Sequence, residues 1–248
     1  PKNIESLITQ STGAIVPVHV FGNPCEVETI QRIANKQSLK VIYDASHAFG
    51  VKYKGQSILK YGDISTLSFH ATKLFHTIEG GAIITNNDEV AARVRKLINF
   101  GITGPDQISD IGINAKMNEF EAAMGLCVLD EIDEIMALRK QVWLRYHDAL
   151  QDKVQFQQFN NQGTQNYSYF PVVFKTEHEL LEVQKELNEE SIYPRRYFYP
   201  SLDSLKYLYV KQKCSISRDI SSKIMCLPIY AELNMNIQTK IWSLVKRI

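Results

Sequence analysis

The sequence has few cysteines, no marked excess of either charge and no long hydrophobic segment. Its 248 residues include 4 Cys, and no two of them form a CxxC pair. We therefore expect reduced, mostly buried thiols in a cytoplasmic protein rather than a disulfide framework. Because 28 Lys+Arg are balanced by 27 Asp+Glu, the composition predicts neither a nucleic-acid partner nor a membrane partner. The apolar stretches, such as 14–18, are far too short to cross a bilayer.

Motifs that mark several enzyme classes are also absent. The sequence contains no GxxxxGK[ST], GxGxxG, HExxH or GxSxG pattern. Among the 6 His residues, His70 and His76 give only a weak ligand spacing, so we expect no metal site. The hydrophobic fraction of 44% is ordinary for a folded chain, and the length suits one large domain or two modest ones.

The first half of the sequence has the pattern of an α/β protein. Helical spacing of apolar residues predicts helices over 26–36 and 88–100, the second capped by Asn87. Strands that alternate with helices indicate βαβ units and a largely parallel sheet. Short apolar runs predict strands at 14–21, 39–43, 64–69 and 81–85.

The second half is more helical and predicts a smaller α+β part. A Pro-free segment, 118–150, predicts one or two long helices. A strand at 169–174 contains Pro171, which favours an edge position. The remaining predicted elements are a helix at 177–190, an aromatic and basic loop at 193–199, an apolar run at 224–229 and a helix at 236–245.

Two charged residues follow predicted strands in the first half. Asp44 ends the strand at 39–43, and Lys73 comes just after the strand at 64–69. Ligands of open α/β sheets bind outside the carboxyl ends of the strands, so an acid and an amine there can converge on one ligand. A desolvated lysine is a nucleophile toward carbonyls. A strand-end Asp is also common in turns and a lone Lys is usually solvated, so these two positions alone leave a structural role open.

Several motifs in a fixed order resemble the DegT/DnrJ/EryC1/StrS family of sugar aminotransferases, which depend on pyridoxal 5′-phosphate (PLP). The resemblance covers nearly the whole chain. It implies PLP-transferase fold type I: a mixed, mostly parallel sheet flanked by helices, with its N-terminal part missing, plus a smaller α+β C-terminal domain. The implied division is a remainder of the large PLP-binding domain at 1–130 and a connecting helix with the small domain at 131–248. The motifs are PVHVFG at 17–22, YDASHAFG at 43–50, SFHATK at 68–73, EGGA at 79–82 and GINAKMNE at 112–119.

The resemblance also implies roles for particular residues. Lys73 matches the catalytic lysine that bonds covalently to PLP and later moves a proton, with pyridoxamine phosphate as the intermediate form of the cofactor. Asp44 matches the carboxylate that pairs with the pyridine nitrogen. His47 falls near the cofactor's 3-hydroxyl, and a packed core histidine is the alternative. Ser68 matches a phosphate-binding hydroxyl. Asn114 matches an asparagine that reaches the phosphate in the neighbouring subunit, so a homodimer with shared sites is implied; a cap or loop role is the alternative.

Four further residues are implied to contact the substrate. His19 and His70 would lie near the mouth of the cofactor site, although either is also explained by packing. Arg195 and Tyr197 belong to the aromatic and basic loop, where Arg suits a pyrophosphate and Tyr stacks on a base or sugar. The implied reaction moves an amino group from L-glutamate to a nucleotide-linked keto-deoxy sugar, with a dTDP-4-keto-6-deoxyhexose favoured.

Two alternatives compete with this hypothesis. A truncated or non-catalytic relative would keep the fold and the dimer interface without turnover. An unrelated carbohydrate- or nucleotide-binding module would hold Asp44 and Lys73 as structural residues, too far apart to touch one cofactor.

Overall fold

The computed structural model describes residues 1–208 and 213–247, which form two compact units. The assignment of 1–130 to cofactor binding and of 131–248 to a small domain stays a prediction, and the latter range includes positions outside the described residues. The first unit comprises Pro1–Ile132 and Phe159–Asn166, and the second comprises Asp133–Gln158 and Tyr167–Ile248.

A four-stranded sheet in the order β1-β2-β5-β6 forms the centre of the first unit. The β1–β2 and β2–β5 pairs are parallel and the β5–β6 pair is antiparallel, which confirms the mixed, mostly parallel sheet. Two short hairpins, β3–β4 and β7–β8, lie outside it. The strands are β1 (Ala14–Ile15), β2 (Lys40–Asp44), β3 (Lys52–Tyr53), β4 (Gln56–Ser57), β5 (Ile64–Ser68), β6 (Gly81–Ile84), β7 (Ile102–Gly104) and β8 (Gln107–Ile108).

The strand predicted over 14–21 was too long. It ends at Ile15, and the chain continues through a single bridge between Val18 and Asp44 into a 3-10 turn at Val20–Gly22. The φ angles of Phe21 (58°) and Gly22 (82°) lie in the left-handed region, which is incompatible with an extended strand.

Helices of the first unit are α1 (Ile4–Leu7), α2 (Val27–Lys36) and α3 (Asp88–Leu97). The apolar face of α2 is buried in the unit's core, as its helical spacing predicts. Asn87 caps α3, because its side-chain oxygen accepts the N–H of Val90 at 3.0 Å. The helix ends at Leu97, three residues before the predicted 100.

The predicted long helical segment forms a single helix, α4 (Glu119–Leu150). It starts with a reciprocal cap: Asn118 N–H donates to the Glu121 carboxylate and Glu121 N–H donates to the Asn118 side chain, both at 3.0 Å. The first part of α4 belongs to the first unit and the rest to the second. None of the helices in the described ranges combines the length and the hydrophobicity that a bilayer span requires.

The second unit packs helices on a three-stranded antiparallel sheet in the order β11-β10-β9. The core includes Tyr146 and Leu150 of α4, Phe170 and Val172 of the central strand, and Leu180. The elements are β9 (Gln155–Phe156), β10 (Phe170–Val173), α5 (Glu177–Glu189), α6 (Ser215–Lys223), β11 (Ile224–Leu227) and α7 (Met235–Val245).

The expected edge position of the Pro171 strand was wrong, because β10 is the central strand. Pro171 is tolerated there because it lies opposite Cys226, whose own N–H and C=O bond to Arg195 instead. On the other side, β9 pairs with Val172 and Val173 and stops before Pro171. No ladder bond therefore requires the missing N–H of the proline.

The thiols are less buried than expected. All four cysteines are free, as predicted, and Cys226 is buried. Cys127 and Cys214 are exposed, since the first lies on the outer face of α4 and the second just before α6.

Candidate active site

Several of the predicted site residues of the first unit follow the carboxyl ends of its parallel strands. His19 follows β1, Asp44 ends β2, and Ser68 ends β5 with Lys73 just beyond. Asp44 lies opposite Thr66 across the β2–β5 pair, which fixes the relative positions of these strand ends. This is the edge of the sheet at which open α/β folds bind their ligands.

Asp44 is held by the turn that follows it. Its Oδ1 accepts the N–H of Ser46 at 2.9 Å, and its backbone N–H and C=O bond to residues 17 and 19, in the segment that follows β1. Among the described residues, the Ser46 bond is the one side-chain hydrogen bond of Asp44. A half-buried carboxylate with acceptor capacity left over is suited to a cationic ring N–H.

Aromatic packing joins the turn after Asp44 to the loop that carries Lys73. Phe49 stacks on Phe75 with ring centroids 4.3 Å apart, and Phe69 meets Phe75 edge-on at 4.8 Å. Lys73 N–H donates to His70 O at 2.9 Å, which closes a tight turn at the lysine. These contacts fix the main chain of both segments relative to each other.

Asp44 and Lys73 act on the same imidazole. Burial and the positive charge of Lys73 lower the pKa of His47, and the negative charge of Asp44 opposes them, with a net pKa of about 4. Both charges therefore act on the His47 imidazole, from the end of β2 and from the loop that follows β5.

His19 is enclosed in the core. Its exposed fraction is 0%, its Nδ1 accepts the N–H of Cys25 at 3.0 Å, and its ring stacks on Tyr43 at 4.6 Å. Burial lowers the pKa of His19 to about 4, although Asp44 raises it. Among its predicted roles, these surroundings favour the packed histidine over the substrate ligand.

The other predicted residues of the first unit are more exposed. Ser68 Oγ accepts the N–H of His70 at 3.5 Å. His70 contacts the Thr72 hydroxyl at 2.9 Å, and its Nε2 lies 3.7 Å from a Glu79 carboxylate oxygen. Asn114 accepts a hydrogen bond from Lys116 at 2.6 Å. The described contacts bring Ser68 next to the lysine loop, but they do not join Asn114 to Asp44 or Lys73.

Arg195 and Tyr197 lie in the second unit. The Arg195 guanidinium is 5.8 Å from the centre of the Tyr197 ring, and the side chain is exposed. Arg196 is different: it binds the Glu177 carboxylate and Ser222 O, and it stacks on Tyr199 at 3.7 Å.

Sequence reasoning missed Asn166, which comes from far along the chain. Its side-chain N–H groups donate to His47 O and Phe49 O, both at 2.9 Å. The only local signal is a polar residue beside the apolar strand β10, and nothing in it indicates a partner 119 residues upstream. Phe75 could have been found, since it follows Lys73 by two residues and faces the aromatic Phe49 of the acid motif.

Comparison with known proteins decides the family. The model of the DegT/DnrJ/EryC1/StrS aminotransferase family matches residues 1–246. The chain belongs to this family. The predicted resemblance and fold type I are confirmed.

Relatives in this family include named sugar transaminases. The chain is 42% identical over 254 residues to dTDP-4-amino-4,6-dideoxy-D-glucose transaminase of Shigella dysenteriae, covering 100% of this chain and 69% of that protein. It is 37% identical to the Escherichia coli transaminase of the same name, covering 98% and 68%. The crystal structure of DesI in the presence of its TDP-sugar product superposes with a TM-score of 0.91 at 29% identity, covering 100% of this chain and 65% of DesI. The chain thus spans about two thirds of the length of these relatives.

The chemistry of the donor set fits PLP. The cofactor carries a ring nitrogen, an aldehyde, a 3-hydroxyl and a phosphate. Asp44 offers a carboxylate, Lys73 a primary amine, His47 an imidazole and Ser68 a hydroxyl, each at the end of β2 or β5 or in the loop that follows it. Each cofactor group therefore has a partner of suitable charge. Within the described part of the chain, no cluster of three or more His, Cys, Asp and Glu could hold a metal.

Proposed function

We propose that the intact protein is a PLP-dependent aminotransferase that moves an amino group from L-glutamate to a dTDP-linked 4-keto-6-deoxyhexose. One observation carries the proposal: Asp44 ends β2 and Lys73 follows the end of β5, the parallel strand that pairs with β2, so both lie beyond the carboxyl edge of the same sheet. The two transaminases named above give the substrate class, because both act in the chemistry of dTDP-4-amino-4,6-dideoxyglucose.

Lys73 has the central role in this proposal. When bound, PLP supplies a carbonyl carbon and an electron-withdrawing ring. The Lys73 amine would hold the cofactor at that carbonyl carbon, and as a free amine it would accept the proton that leaves the amino donor and return it to the product. The tight turn at His70–Lys73 and the Phe75 packing hold the lysine main chain for this task.

Asp44 keeps the ring nitrogen of the cofactor protonated. Two unit charges about 4 Å apart at an effective dielectric of about 20 attract by about 4 kcal/mol. Since one pKa unit corresponds to about 1.4 kcal/mol, this pairing raises the pKa of the ring nitrogen by about two to three units. The half-buried carboxylate therefore maintains the electron-withdrawing form of the ring near neutral pH.

His47 and Ser68 bind the other polar groups of the cofactor. His47 would bind the 3-oxygen, and the Ser68 hydroxyl would bind the phosphate. Asn114, which is exposed, binds the phosphate held by the neighbouring subunit. His70, Arg195 and Tyr197 contact the nucleotide-sugar. We leave His19 out of the substrate site because its side chain is fully buried.

A homodimer follows from this role of Asn114 and from the surface around it. Exposed apolar side chains are frequent in the segment 108–117 and in the first part of α4, and water contact with so many of them is costly. A second copy of the chain would cover them and bring Asn114 to the partner's phosphate. The side chains are Ile108, Ile111, Ile113, Met117, Phe120, Leu126 and Leu129. We place the protein in the cytoplasm, where nucleotide-sugars are made.

The visible absorption of the intact protein with PLP tests the proposal. We expect a band of the protein-bound cofactor that is lost in Lys73→Ala and retained in Lys60→Ala, which removes an exposed lysine of the same unit. Glutamate should bleach the band, and a dTDP-4-keto-6-deoxyhexose should restore it. Absence of the band, or a band that survives Lys73→Ala, contradicts the proposal. A Lys73-dependent band without amino transfer would identify the non-catalytic alternative.

A further inference from the structure

We infer that Asn166 is a positioning residue for His47, because its buried amide fixes the turn at 47–49 and so orients the imidazole toward the cofactor. This inference rests on the proposed function, since it takes the site around Asp44 and Lys73 to bind PLP. Asn166 touches neither reacting group in the proposal. It acts through the main chain of His47.

The amide of Asn166 ties together two carbonyls of the acid motif. The residue is 1% exposed, and its Nδ2 donates to His47 O and Phe49 O at 2.9 Å each. A primary amide suits this position because its two N–H groups satisfy two acceptors at once. Buried carbonyls without a donor are costly, so the turn at 47–49 depends on this side chain.

The same amide also lies against the turn that contacts the His47 ring. A Cβ at Gly22 would be 2.6 Å from Asn166 Oδ1 and 3.0 Å from His47 O. Gly22 has a φ of 82° and therefore follows the left-handed Phe21 without strain. Asn166 thus packs against both segments that determine where His47 lies.

His47 is fixed as a neutral hydrogen-bond donor by this arrangement. Phe21 N–H donates to His47 Nδ1 at 3.0 Å, and the Phe21 ring stacks on the imidazole at 5.8 Å. When Nδ1 accepts, the hydrogen of a neutral imidazole is on Nε2. Burial and Lys73 lower the pKa of His47 to about 4, against the opposing charge of Asp44, so the ring is neutral at pH 7.

An oriented N–H donor has a measurable effect on a bound pyridoxal ring. Hydrogen bonding to the deprotonated 3-oxygen stabilises it, which lowers the pH at which the visible band titrates. If Asn166 is removed, the turn at 47–49 loosens and this donor is misaligned. The band then titrates at a higher pH, even though every group that contacts the cofactor is still present.

A pH titration of the visible band of the PLP-loaded protein tests the inference. We expect Asn166→Ala to raise the midpoint by about one pH unit and His47→Ala to raise it at least as much. In the double variant, Asn166→Ala should add nothing to His47→Ala, because both act through one donor. Asn160→Ala is the matched control: it removes a hydrogen bond of 3.2 Å from the same segment to Pro24 O, and it should leave the midpoint unchanged.

Three results would overturn the inference. The first is an unchanged midpoint in Asn166→Ala. The second is a shift caused by Asn166→Ala in the His47→Ala background that equals its shift in the unaltered protein. The third is a shift in Asn160→Ala that equals the shift in Asn166→Ala. If Asn166→Ala does not fold, Asn166→Asp replaces it, because aspartate keeps the shape of the side chain. As a buried neutral acid it offers one hydrogen-bond donor in place of two. It should therefore raise the midpoint by less than Asn166→Ala would. Absence of the band in the unaltered protein would instead contradict the proposed function.

Nitrogen NMR of the cofactor-free protein gives a second readout. The imidazole of His47 should show a protonated Nε2 and an accepting Nδ1 in the unaltered protein. We expect averaged shifts of the two nitrogens in Asn166→Ala and unaltered shifts in Asn160→Ala. A fixed His47 tautomer in Asn166→Ala would argue against a positioning role.

Discussion

A Cβ atom added at Gly125 would lie 2.8 Å from Cγ2 of Thr77, so glycine lets α4 pack directly on the loop that follows Lys73. Alanine normally stabilises a helix interior by about 1 kcal/mol relative to glycine. Because Thr77 is buried, we expect Gly125→Ala to lower the free energy of unfolding by about 1–2 kcal/mol instead. Urea denaturation measures this difference.

The companion variant Thr77→Ser identifies the cause. It removes Cγ2 but keeps the hydroxyl that donates to Glu79 O. Thr77→Ser should therefore recover most of the loss in the Gly125→Ala background. If the double variant is as unstable as the sum of the two single variants, the steric explanation is wrong.

Asp44, at the end of β2, and Asp63, just before β5, should respond differently to amidation. Asp44→Asn removes the charge proposed to pair with the cofactor ring, and we expect kcat to fall by about a hundredfold or more, with little change in stability. Asp63→Asn is the control: Asp63 accepts from Lys40 at 2.8 Å and from Val41 N–H at 2.9 Å, so it should affect stability and leave kcat unchanged. Equal kcat losses in the two variants would contradict the role of Asp44.

The sequence predicts the positions of candidate residues that belong to local motifs. It does not predict contacts between residues that are far apart in the chain. Asp44 and Ser68 lie at strand ends and Lys73 follows the end of β5, as predicted, because strand periodicity and motif order are short-range signals. The amide of Asn166 could not be predicted, since 119 residues separate it from His47. Whether Asn114 and Arg195 reach the site stays a prediction.

Backbone details also escaped the sequence. The apolar run at 14–21 reads as one strand, but Pro17 cannot donate to a ladder and Phe21 turns left-handed to reach His47. Pro171 reads as an edge residue, whereas its partner Cys226 bonds to Arg195 and removes the need for a ladder bond. Both errors arise because strand pairing depends on the register of distant segments.

The buried histidines predict a pH dependence of stability. The pKa values of His19 and His47 are about 4 in the folded chain, because burial disfavours their charged forms, against 6.5 for an ordinary His. Between pH 4 and pH 6.5 the unfolded chain therefore binds more protons than the folded chain does. The free energy of unfolding is therefore retained above about pH 6.5 and falls on acidification, by about 1.4 kcal/mol per pH unit for each histidine.

Denaturation between about pH 5 and 7 measures this slope, since most carboxylates stay charged there. His19→Asn keeps an acceptor for Cys25 N–H but cannot titrate, so it should lower overall stability and reduce the slope. The control is His178→Asn, at an exposed position on α5, which should retain the slope. An unchanged slope in His19→Asn would show that burial does not hold this histidine neutral.

Substitutions of Arg195 and Arg196, two adjacent residues of the second unit, should have different effects, the first on substrate binding and the second on stability. Arg196 has a side chain only 15% exposed and bonds to Glu177 and Ser222 O, so Arg196→Ala should lower the free energy of unfolding by about 2 kcal/mol. Arg195 is exposed, and Arg195→Ala should change stability by less than about 0.5 kcal/mol while raising the KM for the nucleotide-sugar. Denaturation and steady-state kinetics test both, and an unchanged KM in Arg195→Ala would remove this residue from the substrate site.

The exposed apolar surface around Asn114 predicts how the protein assembles. Ile111 and Phe120 are each 87% exposed, so a charge at either position is tolerated in a single chain but is buried without a partner in a dimer. We expect Ile111→Asp with Phe120→Asp to convert the dimer into a folded monomer, measured by light scattering. The monomer should also bind PLP at least about tenfold more weakly, because the partner's phosphate contact is lost.

Leu181→Asp, at an exposed leucine of α5, is the control and should remain dimeric with unchanged PLP affinity. A double variant that stays dimeric would place the interface elsewhere, and a monomer with full PLP affinity would mean that Asn114 does not serve a neighbouring site.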